Sequence, residues 1–278
     1  MKKRILSIIA LTLALILVVY GIVSVVTLHN NAFFSPDYEK VNLIPILEKA
    51  EFTKEDYKTL FYQTGLGEYA IDSIKDTADF IDRVLSFQEN FFSNKEIKCV
   101  REAVTTSMEY AVTESGFYTK AFEIFDVLPG YVLIMESSHS FAWRHGHAGL
   151  VVGDNQVLEA PIIFQPSSIY TLSSWEYYPT FIMLRLKNTS NEDLAKIAKD
   201  AKKDLMGINY SPLAGVFNKK QGKAPKNVQC AYLVWYAFYK QGINIDKGID
   251  SIVTVQSIIN LDMFEVVQIY GYNPALFM

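Results

Sequence analysis

Arg144-His145-Gly146-His147-Ala148-Gly149-Leu150-Val151-Val152-Gly153-Asp154-Asn155-Gln156-Val157-Leu158-Glu159 is the stretch whose reading decides the fold. Two apolar runs, Ala148 to Val152 and Gln156 to Ile163, flank Gly153-Asp154-Asn155, which has the composition of a hairpin turn. A histidine opens the outgoing strand, and a carboxylate sits on the returning one. The loop decides whether they share a face. Side chains alternate along a strand with period two, so a two-residue turn at Asp154-Asn155 puts His147 and Glu159 on opposite faces. A three-residue turn or a bulge puts them on one.

Working outward, Leu128-Pro129-Gly130 precedes a short apolar run from Tyr131 to Met135, and Phe181 to Leu186 reads as another strand. Ser190-Asn191-Glu192-Asp193 caps a helix ending at Gly207. A polar loop through Lys219, Lys220, Lys223 and Lys226 leads to a second helix beginning near Cys230 and stopped by Gly242. Such a loop is an ordinary solvated segment or a lure for anionic polymer or headgroups. Strands with interspersed helices predict an α+β domain with an antiparallel sheet and packed helices over residues 126–278. Residues 29–125 read as a helical segment. Thr53-Lys54-Glu55-Asp56 is an N-cap with an acidic first turn, and Tyr57, Leu60 and Phe61 follow at helical spacing. Ile71, Ile74, Ala78, Ile81, Val84, Leu85 and Phe87 mark one longer helix. That pair serves either as a collar on the following domain or as a spacer above a membrane.

The mean hydropathy of +0.12 is concentrated at the N-terminus. Ile5 to Leu28 carry no charge and follow Lys2, Lys3 and Arg4. A run of that length crosses a bilayer, for which about 20 apolar residues suffice. The stretch exceeds the ~7 to 15 apolar residues of a signal peptide and ends without a small-x-small cleavage site, so residues 1–28 read as an uncleaved signal anchor. The flanking cations favour a cytoplasmic N-terminus with the remainder outside the cytoplasm. The net charge of −4 includes those three cations, so the exported body is more acidic still and has no global attraction for nucleic acid.

There are two cysteines, Cys99 and Cys230. One possible pair is not a disulfide framework, and neither has a second cysteine nearby as a structural zinc site requires. Either they pair or one is kept as a thiol. Gln229-Cys230-Ala231-Tyr232-Leu233-Val234-Trp235 places Cys230 at the start of an apolar helix, where a thiolate is stabilised by the helix N-terminus and by a neighbouring imidazolium. A histidine supplies the proton shuttle and a third polar group orients it. Cys230, His147 and Glu159 are the candidates. His139 and His145 compete for the base, but His147 alone begins an alternating strand with a matching acid downstream. A His139/His145/His147 metal cluster is the alternative and needs a further acid or thiol ligand. Arg144 is a candidate for binding a substrate carboxylate.

The hairpin from His147 to Glu159 resembles the histidine hairpin of the NlpC-type, papain-like cysteine peptidases. Here the cysteine follows the hairpin instead of preceding it, as in the circularly permuted YiiX-like branch. Pro129-Gly130, Trp143 to His147, Gly207-Ile208-Asn209-Tyr210 and Cys230 to Trp235 also resemble that branch, as does Gln63-Thr64-Gly65-Leu66-Gly67 in its membrane-anchored members. The resemblance implies a permuted papain-like fold and a thiol hydrolase of peptide amides, with peptidoglycan-type cell-wall fragments as first substrate; the alternatives are an amidase, thioesterase or acyltransferase on lipid-linked substrates, and a catalytically silent wall- or peptide-binding module. It implies no metal or organic cofactor, and it places Tyr210 near the cysteine as an oxyanion partner. The family's nucleophile is commonly followed by Ser, where this chain has Ala231.

Overall fold

The charge-free run forms one helix, α1 (Lys2–His29), of which Arg4–Ile22 is long and apolar enough to cross a membrane and is not buried by the rest of the chain. The computed structural model describes residues 2–29, 33–103, 105–140, 143–215, 225–248 and 252–278, apart from the side chains of residues 2, 3 and 23–29. Lys219, Lys220 and Lys223 of the polar loop lie outside the described residues; Lys226 is exposed.

After α1 come four helices: α2 (Ile44–Leu47), α3 (Lys54–Thr64), α4 (Glu68–Ile74) and α5 (Phe80–Phe91). Thr53 starts α3 with a capping box, its hydroxyl accepting from the Asp56 N–H at 3.2 Å while the Asp56 carboxylate accepts from the Thr53 N–H at 2.9 Å. The apolar positions from Ile71 to Phe87 do not form one helix. They divide between α4 and α5, and Thr77 makes the break by turning both its N–H and its hydroxyl back onto the Ile74 carbonyl.

The helical reading of 29–125 holds only to Phe91. Two strands follow, β1 (Glu96–Arg101) and β2 (Thr106–Val112), which pair antiparallel. The alternation of β2 is masked in sequence because the strand is buried at most positions and carries Glu109 among them, whereas β1 alternates between exposed Glu96 and Lys98 and half-buried Ile97 and Cys99. Then come β3 (Val132–Met135), β4 (Ser138–Ser140), β5 (Trp143–Arg144), β6 (His147–Gly153), β7 (Gln156–Glu159), β8 (Ser168–Thr171) and β9 (Phe181–Leu186). The chain finishes with α6 (Asn191–Leu205), α7 (Cys230–Tyr239), α8 (Val255–Ile258) and β10 (Phe264–Tyr270). The molecule is α+β: an antiparallel six-stranded sheet in the order β10-β9-β3-β6-β7-β8, a four-stranded sheet in the order β1-β2-β4-β5, and packed helices. Both α6 and α7 lie against β6 at the centre of the larger sheet. From Cys230 to Phe238 every residue of α7 is buried, as expected of a short helix apolar on all sides.

The helices after α1 are a collar, not a spacer. The segment between α3 and α4 runs along the outer edge of β10, with the Gly67 N–H donating to the Val267 carbonyl at 2.9 Å and the Ile269 N–H to the Gly65 carbonyl at 2.8 Å. A Cβ on Gly67 would lie 1.8 Å from the Val266 carbonyl oxygen, so only glycine allows this approach. The collar therefore covers a sheet edge that would otherwise be open to pairing with another chain. One apolar core runs without a break from Leu60 and Phe87 in the collar to Leu133 and Leu184 in the sheet.

Candidate active site

The bulge that the hairpin needed is present. Gly153 pairs with Gln156 around a two-residue Asp154-Asn155 turn, yet Val151 pairs with Val157 and Gly149 with Glu159, so Val152 is the extra residue on β6. That single insertion reverses the parity of the strand and brings His147 and Glu159 onto one face. His147 Nε2 and Glu159 Oε2 are 2.7 Å apart, and both side chains are buried.

The other carboxylate oxygen is held by a residue that sequence spacing did not reveal. Trp175 donates its indole N–H to Glu159 Oε1 at 2.9 Å, and its ring stacks on the His147 imidazole with centroids 5.6 Å apart. Trp175 sits in a 3₁₀ turn, Leu172–Tyr177, tied to the hairpin by Asn155, whose carbonyl and side-chain oxygens accept from the N–H groups of Leu172 and Ser173. Gly149 opens the space. A Cβ there would meet Val157 at 2.6 Å, Trp175 at 3.0 Å and the Glu159 side chain at 3.1 Å. The one available signal was the general rule that a buried tryptophan N–H finds an acceptor.

With Nε2 committed to Glu159, Nδ1 is the nitrogen left for a second partner. The Cys230 thiol stands near enough to the imidazole to act on its charge. Burial works against the imidazolium, but the contacts with Cys230 and Glu159 more than offset it and raise the His147 pKa from 6.5 to about 10. Two residues earlier His145 shows the opposite shift. Burial, with smaller contributions from His147 and His139, pushes its pKa down to about 4.

Cys230 is the first residue of α7, and Gln229 is its N-cap. The Gln229 side-chain oxygen accepts from the Ala231 N–H at 2.8 Å and from the Cys230 thiol at 3.5 Å, while its amide donates to the Val253 carbonyl at 2.5 Å. Gln229 thus locks the turn that presents the sulfur, a role its place in the sequence did not disclose. Cys230 and Cys99 are both free thiols. Tyr210 is brought in by pairing of its segment with Val228, two residues before the cysteine. Burial and the proximity of Cys230 raise the pKa of its phenol.

Cys230, Tyr210, Arg144, His145, Gln229 and Ile163 line a cavity of about 400 Å³. A larger depression of about 820 Å³ lies between the collar and β10, but neither cysteine nor histidine reaches it. All five candidate residues from the sequence therefore gather at one site, Cys230, Tyr210 and Arg144 on the cavity wall and His147 with Glu159 behind it. Arg144 arrives already paired: one guanidinium nitrogen donates to Glu109 Oε1 at 2.5 Å. The three histidines do not converge. His139 bonds Glu109 at 3.0 Å, His145 bonds the Ser140 hydroxyl at 2.7 Å, and His147 bonds Glu159. Among the described residues no group of three or more His, Cys, Asp or Glu side chains is placed to hold a metal ion.

No protein-family model matches this chain, and no curated protein matches it. Among solved structures, one described as the metalloprotein yiiX from Escherichia coli O157:H7 is similar over 50% of this chain and 96% of its own length, with 16% identity and a TM-score of 0.38.

Proposed function

We propose that the protein is a membrane-anchored cysteine hydrolase that cleaves an amide bond, with a permuted papain-like arrangement in which the nucleophile helix follows the histidine hairpin. The observation that carries this reading is the line Cys230, His147, Glu159, completed by Trp175 and opening on a cavity at a helix N-terminus. An imidazolium beside a sulfur at the first turn of a helix is the environment that favours a thiolate. The Cys230 sulfur attacks the carbonyl carbon, and the oxyanion forms beside the Cys230 backbone N–H with Tyr210 as a second donor. As the C–N bond breaks, His147 gives its proton to the leaving amine, and a thioester remains. Water then adds with His147 taking its proton, and the thioester opens to a carboxylic acid and the free cysteine. Glu159 fixes the imidazole and stabilises its charge throughout.

The cations that open α1 favour a body outside the cytoplasm, where the amides of cell-wall stem peptides are the first substrate to try. Alkylation of the full-length protein by iodoacetamide, with site mapping, tests the mechanism. Cys230 reacts faster than Cys99, and His147→Ala slows Cys230 selectively. A Cys230 no faster than an ordinary thiol, or indifferent to His147, refutes it.

A further inference from the structure

We propose that Arg144 sets the specificity of the Cys230 cavity, and that the substrate is an amide cut next to a free carboxylate, which the guanidinium holds. This rests on the cysteine-hydrolase reading and names its substrate class.

The first observation is the charge of the wall. The chain carries 30 acidic side chains against 26 basic ones. Among the described residues that line the cavity, however, there is no aspartate, glutamate or lysine, and Arg144 is the one permanent charge. His145, also in the wall, is pushed by burial down to about 4 and is neutral at pH 7. Tyr210, Gln229, Thr254 and Gln256 add neutral hydrogen-bonding groups. A cavity in an acidic body that leaves out carboxylates and keeps one cation favours an anion.

The second observation is how firmly that cation is held. Arg144 lies on β5 directly opposite His139 of β4, and the next two backbone N–H groups, of His145 and Gly146, both donate to the Ser138 carbonyl, at 3.1 and 3.4 Å. Its head group is fixed by Glu109 Oε1, and the side chain is only 18% exposed. Arginines that serve solubility extend their heads into water; this one is built into a wall. Its five N–H donors form a planar fork that serves more than one acceptor and matches a carboxylate. With the side chain already ordered, a ligand gains that contact at little further entropic cost. Glu136, the second carboxylate acting on Arg144, is pushed by burial toward its neutral form.

The third observation is size. The cavity holds about 400 Å³, toward the small end of the roughly 300 to 1,000 Å³ of small-molecule sites. Cys230 and Arg144 share that space, so a carbonyl at the sulfur and a carboxylate at the guanidinium belong to neighbouring parts of one molecule. An N-acyl amino acid is the simplest compound that meets both demands.

The test alkylates the full-length protein with N-iodoacetylglycine and with N-iodoacetylglycinamide, which differ in one charge and little in shape. Site mapping gives the ratio of acid to amide rate at Cys230 and at Cys99. The ratio cancels any general change in the reactivity of the thiol. It is expected to be at least about tenfold higher at Cys230, and Arg144→Gln is expected to lower it there about tenfold, with Arg144→Lys in between. The His147 imidazolium attracts the acid too, so the fall on substitution is what isolates Arg144. A ratio at Cys230 that Arg144→Gln leaves unchanged overturns the proposal. Should that variant fail to fold, wild-type protein decides. Unreactive N-acetylglycine is expected to protect Cys230 from iodoacetamide where N-acetylglycinamide does not, and equal protection by the two, or none, overturns the proposal. A Cys230 no faster than Cys99 toward the neutral probe refutes the hydrolase reading instead, and the ratio, which a slow thiol also gives, still decides whether Arg144 draws a carboxylate into the cavity.

Discussion

Two buried histidine–glutamate pairs lie in different sheets of this molecule, each with a cysteine close by, and the surroundings distinguish them. His147 and Glu159 span the hairpin of β6 and β7; His139 and Glu109 span β4 and β2, and Cys99 stands directly across from Glu109 on β1. In the first pair both carboxylate oxygens are bonded, one to imidazole and one to Trp175, and the imidazole has a thiol beside it. In the second, His139 and Arg144 crowd onto Glu109 Oε1, while Glu109 Oε2 and His139 Nδ1 are buried without a hydrogen-bond partner among the described residues. Burial and the nearby Glu109 raise the Cys99 pKa, with Arg144 opposing, so this thiol is held protonated. A histidine, an acid and a cysteine in proximity do not make a nucleophile. What differs at Cys230 is a helix N-terminus, an imidazole aimed by a fully bonded carboxylate, and access from a cavity.

The sharpest way to break that comparison is to neutralise each carboxylate without changing its shape. Glu159→Gln is expected to slow alkylation of Cys230, and with it the proposed hydrolysis, by about a hundredfold or more, because the amide orients the imidazole but no longer stabilises its charge. Glu109→Gln leaves the Cys230 rate within a few-fold. It acts on stability instead, since the partly buried Arg144 loses one of its charged partners, at a cost of about 1 to 3 kcal/mol measured by urea denaturation. If the two variants exchange these phenotypes, the second pair is the chemical one.

Much of this was legible in the chain. Thr53, Ser190 and Gly242 marked helix boundaries through capping and turn chemistry that acts within a few residues, and the charge-free run from Ile5 set α1. The residues of the site could be named because a strand-opening histidine, a downstream acid and a cysteine at a helix start each have a local signature. Their meeting could not be settled from sequence. Whether His147 and Glu159 share a face depends on one bulged residue, Val152, which looks like any other strand valine. Trp175 and Gln229 were passed over because their roles arise from tertiary approach: one reaches Glu159 across the hairpin, the other anchors on Val253. The β1–β2 hairpin escaped for a related reason. Strand β2 is buried at most positions and carries Glu109 among them, so the alternation that announces a half-buried strand is absent there, and the alternation of β1, with Glu96 and Lys98 exposed and Ile97 and Cys99 half-buried, is too short to stand alone.

A second comparison sets His147 against His145, two residues apart on the chain. A histidine whose pKa rises from 6.5 to about 10 on folding binds a proton that the unfolded chain has released. Its stabilisation is complete below pH 6.5 and is lost as pH climbs toward 10. His145, pushed down to about 4, works in the other direction, giving stability that is present above 6.5 and lost as pH falls toward 4. Denaturation midpoints should therefore decline on both flanks. Cys230→Ser removes one of the contacts that raise His147, and the alkaline decline should begin at lower pH while the acid flank stays in place. An alkaline flank unmoved by that substitution would separate the sulfur from the imidazole and weaken the case for the pair.

The smallest expected effect concerns what holds the Glu159 carboxylate still. Trp175→Phe keeps an aromatic ring over His147 but removes the N–H that bonds Glu159 Oε1. A buried carboxylate oxygen left without its donor costs about 1 to 3 kcal/mol, read as a lower urea midpoint. The kinetic consequence follows from geometry. Glu159 would still meet His147 through Oε2, so Cys230 alkylation should fall by only about three- to tenfold, far less than in Glu159→Gln. A merely structural Trp175 would lower the midpoint and leave the alkylation rate and its pH profile untouched. A positioning Trp175 moves both, because a carboxylate free to rotate holds the imidazolium less firmly and the pH at which Cys230 loses its advantage over Cys99 shifts with it.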